Sequence, residues 1–103
     1  MDKSKVREIA LQYTDIVRQA YQPNKIILFG SYINGNPHEY SDIDIAVVFK
    51  NYDGDWLETW TNLFHLREDI SFDIEPHLMD ETSDHSGFLE YVKKTGEIIY
   101  EAS

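Results

Sequence analysis

Apolar residues Val6, Ile9, Tyr13, Ile16, Val17 and Ala20 recur at intervals of three and four, the spacing of one helix face. The pattern predicts an amphipathic helix over 5–21, capped by Asp2 or Ser4 and ended by Gln22-Pro23-Asn24. Lys25–Phe29 reads as a short buried strand, and Asp42–Phe49 as a second one followed by a turn at Asn51–Asp55. Between the strands, Gly30–Ser41 is polar and carries Gly30, Gly35, Asn36 and Pro37, all turn-formers. Trp56, Trp60, Leu63 and Phe64 again follow helical spacing, so 55–67 is predicted as a helix with its aromatics in the core. In Asp69–Met79, Ile70, Phe72 and Ile74 alternate with Asp69, Ser71, Asp73 and Glu75, the signature of a half-buried strand. Pro76 marks its pairing as irregular or edge-like. Phe88–Thr95 reads as a short helix closed by Gly96 at C′, and Ile98–Tyr100 as a last short strand.

Two features of this pattern call for chemistry. Asp42 and Asp44 stand one residue apart in an otherwise apolar strand, where like charge and desolvation are both costly. Residues i and i+2 share a strand face, so the two carboxylates point the same way, with Cα atoms ~6.6 Å apart. Such a pair can bracket a hard cation, and a third carboxylate would allow a two-metal site for phosphoryl transfer. Asp73 and Glu75, together on one face of 69–79, are the candidates. Oxygen ligands without His or Cys favour magnesium or manganese over zinc. Gly30-Ser31 directly follows a strand, and a short helix starting there would turn its first amides toward phosphate. The connection from Gly30 to Ser41, long for a hairpin, reads as functional.

Composition narrows the field. The 103 residues suit one domain, and 42% of them are apolar, enough for one core. The absence of cysteine excludes disulfides, thiolate catalysis and Cys-ligated zinc. A net charge of −10 argues against strong nonspecific nucleic-acid binding and favours cations and basic partners. No apolar run approaches the ~20 residues of a membrane helix, and no signal peptide is expected at the N-terminus. A cytoplasmic location is therefore expected, with no membrane association. His38, His65, His77 and His85 lack zinc-like spacing and read as structural or surface residues, His38 lying in the polar loop. Asp80-Glu81-Thr82-Ser83-Asp84 reads as a solvated loop.

Gly30-Ser31, ten intervening residues and then Asp42-x-Asp44, with an apolar strand before and Ile45–Val48 after, resemble the signature of the DNA polymerase beta-like nucleotidyltransferases. The nearer likeness is to the minimal, single-domain members, the MNT family. The resemblance covers nearly all of the chain. It implies an α/β (α+β) nucleotidyltransferase fold over 1–103, a small mixed sheet packed by helices. It implies two magnesium ions on Asp42, Asp44 and a third acid, and ATP or another nucleoside triphosphate on Gly30 and Ser31, with Asn34, Gly35 and Ser41 in the same loop. The third acid lies in "FDIEPHL", either Asp73 or Glu75, with Glu75 favoured by its "IEPH" setting. It would help activate the acceptor hydroxyl.

The sequence departs from the family at Tyr32-Ile33-Asn34, where many members carry a basic residue for the triphosphate; Lys25 and Lys50 are the candidates to replace it. Minimal members act beside a helical HEPN partner in pairs resembling toxin and antitoxin, and some modify that partner with AMP. The expected activity is thus transfer of a nucleotidyl group, AMP from ATP, to a partner hydroxyl. The alternative is a non-catalytic antitoxin module that neutralises the partner by contact. Transfer to a small molecule such as an aminoglycoside is less favoured without a second domain, and a homo-oligomer stays open.

Overall fold

The computed structural model describes residues 2–34 and 42–103, with Asn34 described by its backbone alone. The first helix, α1, spans Lys3–Ala20. Asp2 caps it, its side chain accepting from the Lys5 amide at 2.8 Å. Val6, Ile9, Ala10, Tyr13 and Val17 form the buried stripe, while Ile16, expected on it, is half-buried and Ala20 exposed. The strand β1, Lys25–Phe29, follows, then a four-residue helix α2, Ser31–Asn34. After the segment outside the described residues come β2 (Ile43–Phe49), α3 (Trp56–Leu66) and β3 (Ile74–Asp80). A 3-10 turn at Glu81–Ser83, α4 (Phe88–Thr95) and β4 (Glu97–Glu101) complete the order.

The strands form one mixed sheet in the order β3-β2-β1-β4. The pairs β1–β2 and β1–β4 are antiparallel, whereas β2 and β3 run parallel and are joined through α3. The sheet has two covered faces. Ile43, Ile45, Val47 and Phe49 pack with the α1 stripe and Leu63 of α3. Ile27, Phe29, Ala46 and Val48 pack with Leu89 and Val92 of α4. Burial from both sides explains why β1 and most of β2 read as continuous apolar runs. Pro76 lies on edge strand β3, where its missing donor costs least. Among the described residues no helix is long and apolar enough to cross a membrane.

Several expectations need correction. Residues 69–73 are not strand. Residues 67–70 and 72–73 are turns, held by Arg67, whose Nη1 donates to the carbonyls of Phe72 and Ile74 at 3.0 and 2.9 Å. Phe72 is 67% exposed, so the alternation before Ile74 reflected no sheet face. Trp56 and Trp60 are 45% and 43% exposed rather than core. The buried stripe of α3 is Thr59 and Leu63; its aromatic side faces the outer edge of β3.

Gly96 closes α4 with φ −91° rather than in a left-handed conformation. Its small size matters for another reason: a Cβ there would lie 2.7 Å from Ile27 Cγ2 and from the Val92 carbonyl. The acidic run 80–84 is not merely solvated. Asp80 accepts from the amides of Asn51, Tyr52 and Thr82. Asp84 accepts from the Leu89 and Glu90 amides at the start of α4. Glu81 receives Lys25 and Lys93 at 2.9 and 2.7 Å.

Candidate functional site

Asp44 lies on the same face of β2 as Ala46 and Val48, which pack against α4, whereas Asp42, expected on the same strand, precedes it. Parallel pairing sets Asp44 opposite Glu75 and Ala46 opposite His77, so all four side chains share a face. Antiparallel pairing adds Phe29 opposite Asp44 from the other side. One ligand atom each from Asp44, Glu75 and His77 lies within 4.8 Å of the others. His77 Nε2 is 3.0 Å from Asp44 Oδ1, and the Phe29 ring meets the imidazole edge-on at 5.0 Å.

Asp42, exposed just before β2, is not one of these three. Hydrogen bonding toward the Asp42 carboxyl, then desolvation and the charges of Asp42 and Asp44, raises the Glu75 pKa above its ordinary value, while His77 opposes the shift. Negative charge is thus concentrated at this end of the sheet. The donor set, carboxylate oxygens with one imidazole nitrogen, suits a divalent cation.

Of the predicted third acids, Glu75 stands in this group. Asp73 is exposed in the turn before β3; its carbonyl accepts from the Ile43 amide at 2.8 Å. Gly30 adopts φ +90°, and a Cβ there would collide with Asp44 Oδ2. Glycine is thus needed both for the backbone turn and for close approach to the acid. Ser31 begins α2, and the Ile33 amide closes the turn on the Gly30 carbonyl at 3.0 Å. The Asn34 side chain, Gly35, His38 and Ser41 lie outside the described residues.

Sequence reasoning missed His77. The signal was available: it sits at i+2 from Glu75, and strand alternation puts both on one face. The cations proposed for the triphosphate lie elsewhere. Lys25 pairs with Val48 at the opposite end of β1 and is held by Glu81 and Glu101. Lys50 follows the far end of β2. Beside the acids, a groove of about 320 Å3 runs along the β3 edge, lined by Trp56, Trp60, Phe64 and Phe88 together with Glu75 and His77.

A family model described as "Polymerase beta, Nucleotidyltransferase" matches residues 12–103. The chain belongs to this nucleotidyltransferase family. A Methanocaldococcus jannaschii relative, provisionally named a protein adenylyltransferase, is 33% identical over 92 residues, covering 89% of this chain and 88% of its own. Among solved structures, a provisionally named nucleotidyltransferase from Sulfolobus solfataricus has a TM-score of 0.72 at 20% identity, covering 96% of this chain and 83% of that one; that likeness concerns the fold. A toxin–antitoxin structure solved with AMP-PNP has a TM-score of 0.68 at 26% identity, over 90% of this chain and 74% of that one. For this nucleotidyltransferase, then, the strand–Gly-Ser–Asp-x-Asp order of the sequence coincides with an acid cluster assembled from β2 and β3.

Proposed function

We propose that the protein, acting as one domain over 1–103, transfers AMP from ATP to a hydroxyl on a HEPN-type partner protein in a toxin–antitoxin pair. The observation that supports this reading is the grouping of Asp44 with Glu75, and the close approach of Asp44 to Gly30, in a chain of this family. The protein adenylyltransferase relative and the toxin–antitoxin neighbour with AMP-PNP support the donor and the pairing.

Asp42, Asp44 and Glu75 would hold magnesium, whose positive charge stabilises the triphosphate as its charge redistributes in the transition state. Gly30 lets the backbone and the Ser31 amide approach the phosphates without a Cβ in the way. The acceptor oxygen forms a bond to the α-phosphorus as the bond to the bridging α–β oxygen breaks, and pyrophosphate leaves with that electron pair. Glu75, the third acid, would help activate the acceptor hydroxyl by receiving its proton. The aromatic groove opens onto Glu75 and offers a path for the partner segment that carries the hydroxyl.

The test is incubation with α-labelled ATP, magnesium and the neighbouring gene's product. Label should appear on the partner with wild type and vanish with Asp42→Asn/Asp44→Asn. No label, or equal label in both, overturns the reading. A contact-only antitoxin is the second reading, favoured by one observation: Lys25 and Lys50 lie at the other end of the sheet from the acids. It predicts no magnesium-dependent ATP binding by calorimetry and partner affinity indifferent to the same double substitution.

A further inference from the structure

We propose that His77 is a nitrogen ligand of the cation held by Asp44 and Glu75, which makes this site prefer Mn2+ and Co2+ over Mg2+. The proposal rests on the reading above that the acid cluster binds a divalent cation.

The geometry supports a ligand. Two ligands bonded to one ion at ~2.1 Å lie ~3.0 Å apart when adjacent and ~4.2 Å apart when opposite. His77 Nε2 is 3.0 Å from Asp44 Oδ1, the adjacent spacing. The three donor atoms span no more than 4.8 Å, a spread that small side-chain rotations close to the opposite spacing. A fixed strand register produces this arrangement: His77 is two residues beyond Glu75 and directly opposite Ala46. Alanine at 46 leaves the imidazole room to lie along the sheet toward Asp44, where a larger side chain would push it outward. The edge-on Phe29 ring supports it from β1, across β2. With 28% of its side chain exposed, the imidazole remains open to an entering ion.

The chemistry sets the preference. Mg2+ is hard, favours oxygen and gives up water reluctantly. Imidazole nitrogen raises affinity along the first-row series, from Mn2+ to Co2+ and beyond. An oxygen-only cluster at this position would show the same order of affinities with a smaller spread.

His77→Gln separates the ligand from a simple hydrogen-bond partner, because the Gln amide still donates to Asp44 but binds metal poorly. Metal-free protein is titrated with Mn2+, Co2+ and Mg2+ by calorimetry, and the Mn2+ complex is examined by pulsed electron paramagnetic resonance. Wild type should show nitrogen coupling to Mn2+ that His77→Gln lacks. The substitution should lower Mn2+ and Co2+ affinity about 10-fold or more and leave Mg2+ affinity within about 3-fold. Should His77→Gln fail to fold, wild type carrying 15N-histidine gives the same readout through the isotope's altered coupling. Mn2+ binding without nitrogen coupling, or an equal loss for all three ions, overturns the proposal and leaves the transferase reading standing. Wild type that binds none of the three ions removes both.

Discussion

Replacing Gly30 by alanine perturbs the fold and the acid cluster through one atom, and two other glycines allow the contributions to be separated. Gly87 has φ +77° and open space around its Cβ position. Gly87→Ala therefore carries only the conformational cost of a positive φ, ~1–2 kcal/mol, less the ~0.4–1 kcal/mol gained by restricting the unfolded chain. Gly96 has an ordinary φ, but its Cβ would lie 2.7–2.9 Å from Ile27 Cγ2 and two backbone carbonyls. Gly96→Ala carries only the steric cost, ~1–3 kcal/mol for overpacking. Gly30→Ala carries both, the second against the Asp44 side chain, and should destabilise by ~1–5 kcal/mol. At ~4–8 °C per kcal/mol, its Tm should fall well below that of Gly87→Ala. Thermal unfolding and Mn2+ titration are then compared across the three variants. Gly96→Ala should lower Tm and keep cation binding, whereas Gly30→Ala should lose both. If Gly30→Ala matches Gly87→Ala in Tm and wild type in Mn2+ affinity, the argument that Gly30 exists to admit Asp44 is refuted.

Other outcomes follow from single groups. Burial raises the Asp80 pKa, but hydrogen bonds from Thr82, Tyr52 and Asn51 outweigh it and hold the value at about 2; the stability this contributes is present above 3.8 and lost as pH falls toward 2. The stability difference between wild type and Asp80→Asn, measured by urea unfolding, should close over that window. Glu75 has the opposite sign: its raised pKa means that stability is lost as pH rises through the carboxylate range. Glu75→Gln should therefore raise Tm at neutral pH in chelator and gain less than wild type on adding Mn2+; an unchanged Tm in chelator would contradict the charge crowding. The buried Tyr13 hydroxyl donates to the Leu63 carbonyl at 2.7 Å and joins α1 to α3. Tyr13→Phe should cost ~1–3 kcal/mol in urea unfolding, because it strands a buried acceptor.

Where hydrophobic period and burial coincide, the elements were legible from the residues. β1 was read with both ends correct, α4 likewise, and α1 within two residues. Reading failed where one local pattern had two meanings. The alternation of 69–73 looked like a strand, yet Arg67 ties the segment into turns. The aromatic stripe of α3 has helical spacing, yet the core takes the neighbouring stripe of Thr59 and Leu63. Asp42-x-Asp44 could be picked out because the two acids stand one residue apart in sequence, at the entry to β2. His77 was not, because its meaning depends on a parallel pairing between strands that are separated in sequence by a helix. No local window carries that register. Nor does it reveal that Lys25 is engaged by Glu81, 56 residues away.

That register has a consequence for folding. Sliding β3 by a single residue along β2 would exchange its two faces. Glu75 and His77 would turn toward Tyr13 and Leu63, and a carboxylate would be buried in the apolar core at a cost of several kcal/mol. Pro76 would move in the opposite direction, away from the core. The polar groups therefore act as an alignment key for the slowest kind of strand pairing, a parallel one closed across a helix. A partly folded chain with the wrong alignment is penalised before any ligand arrives.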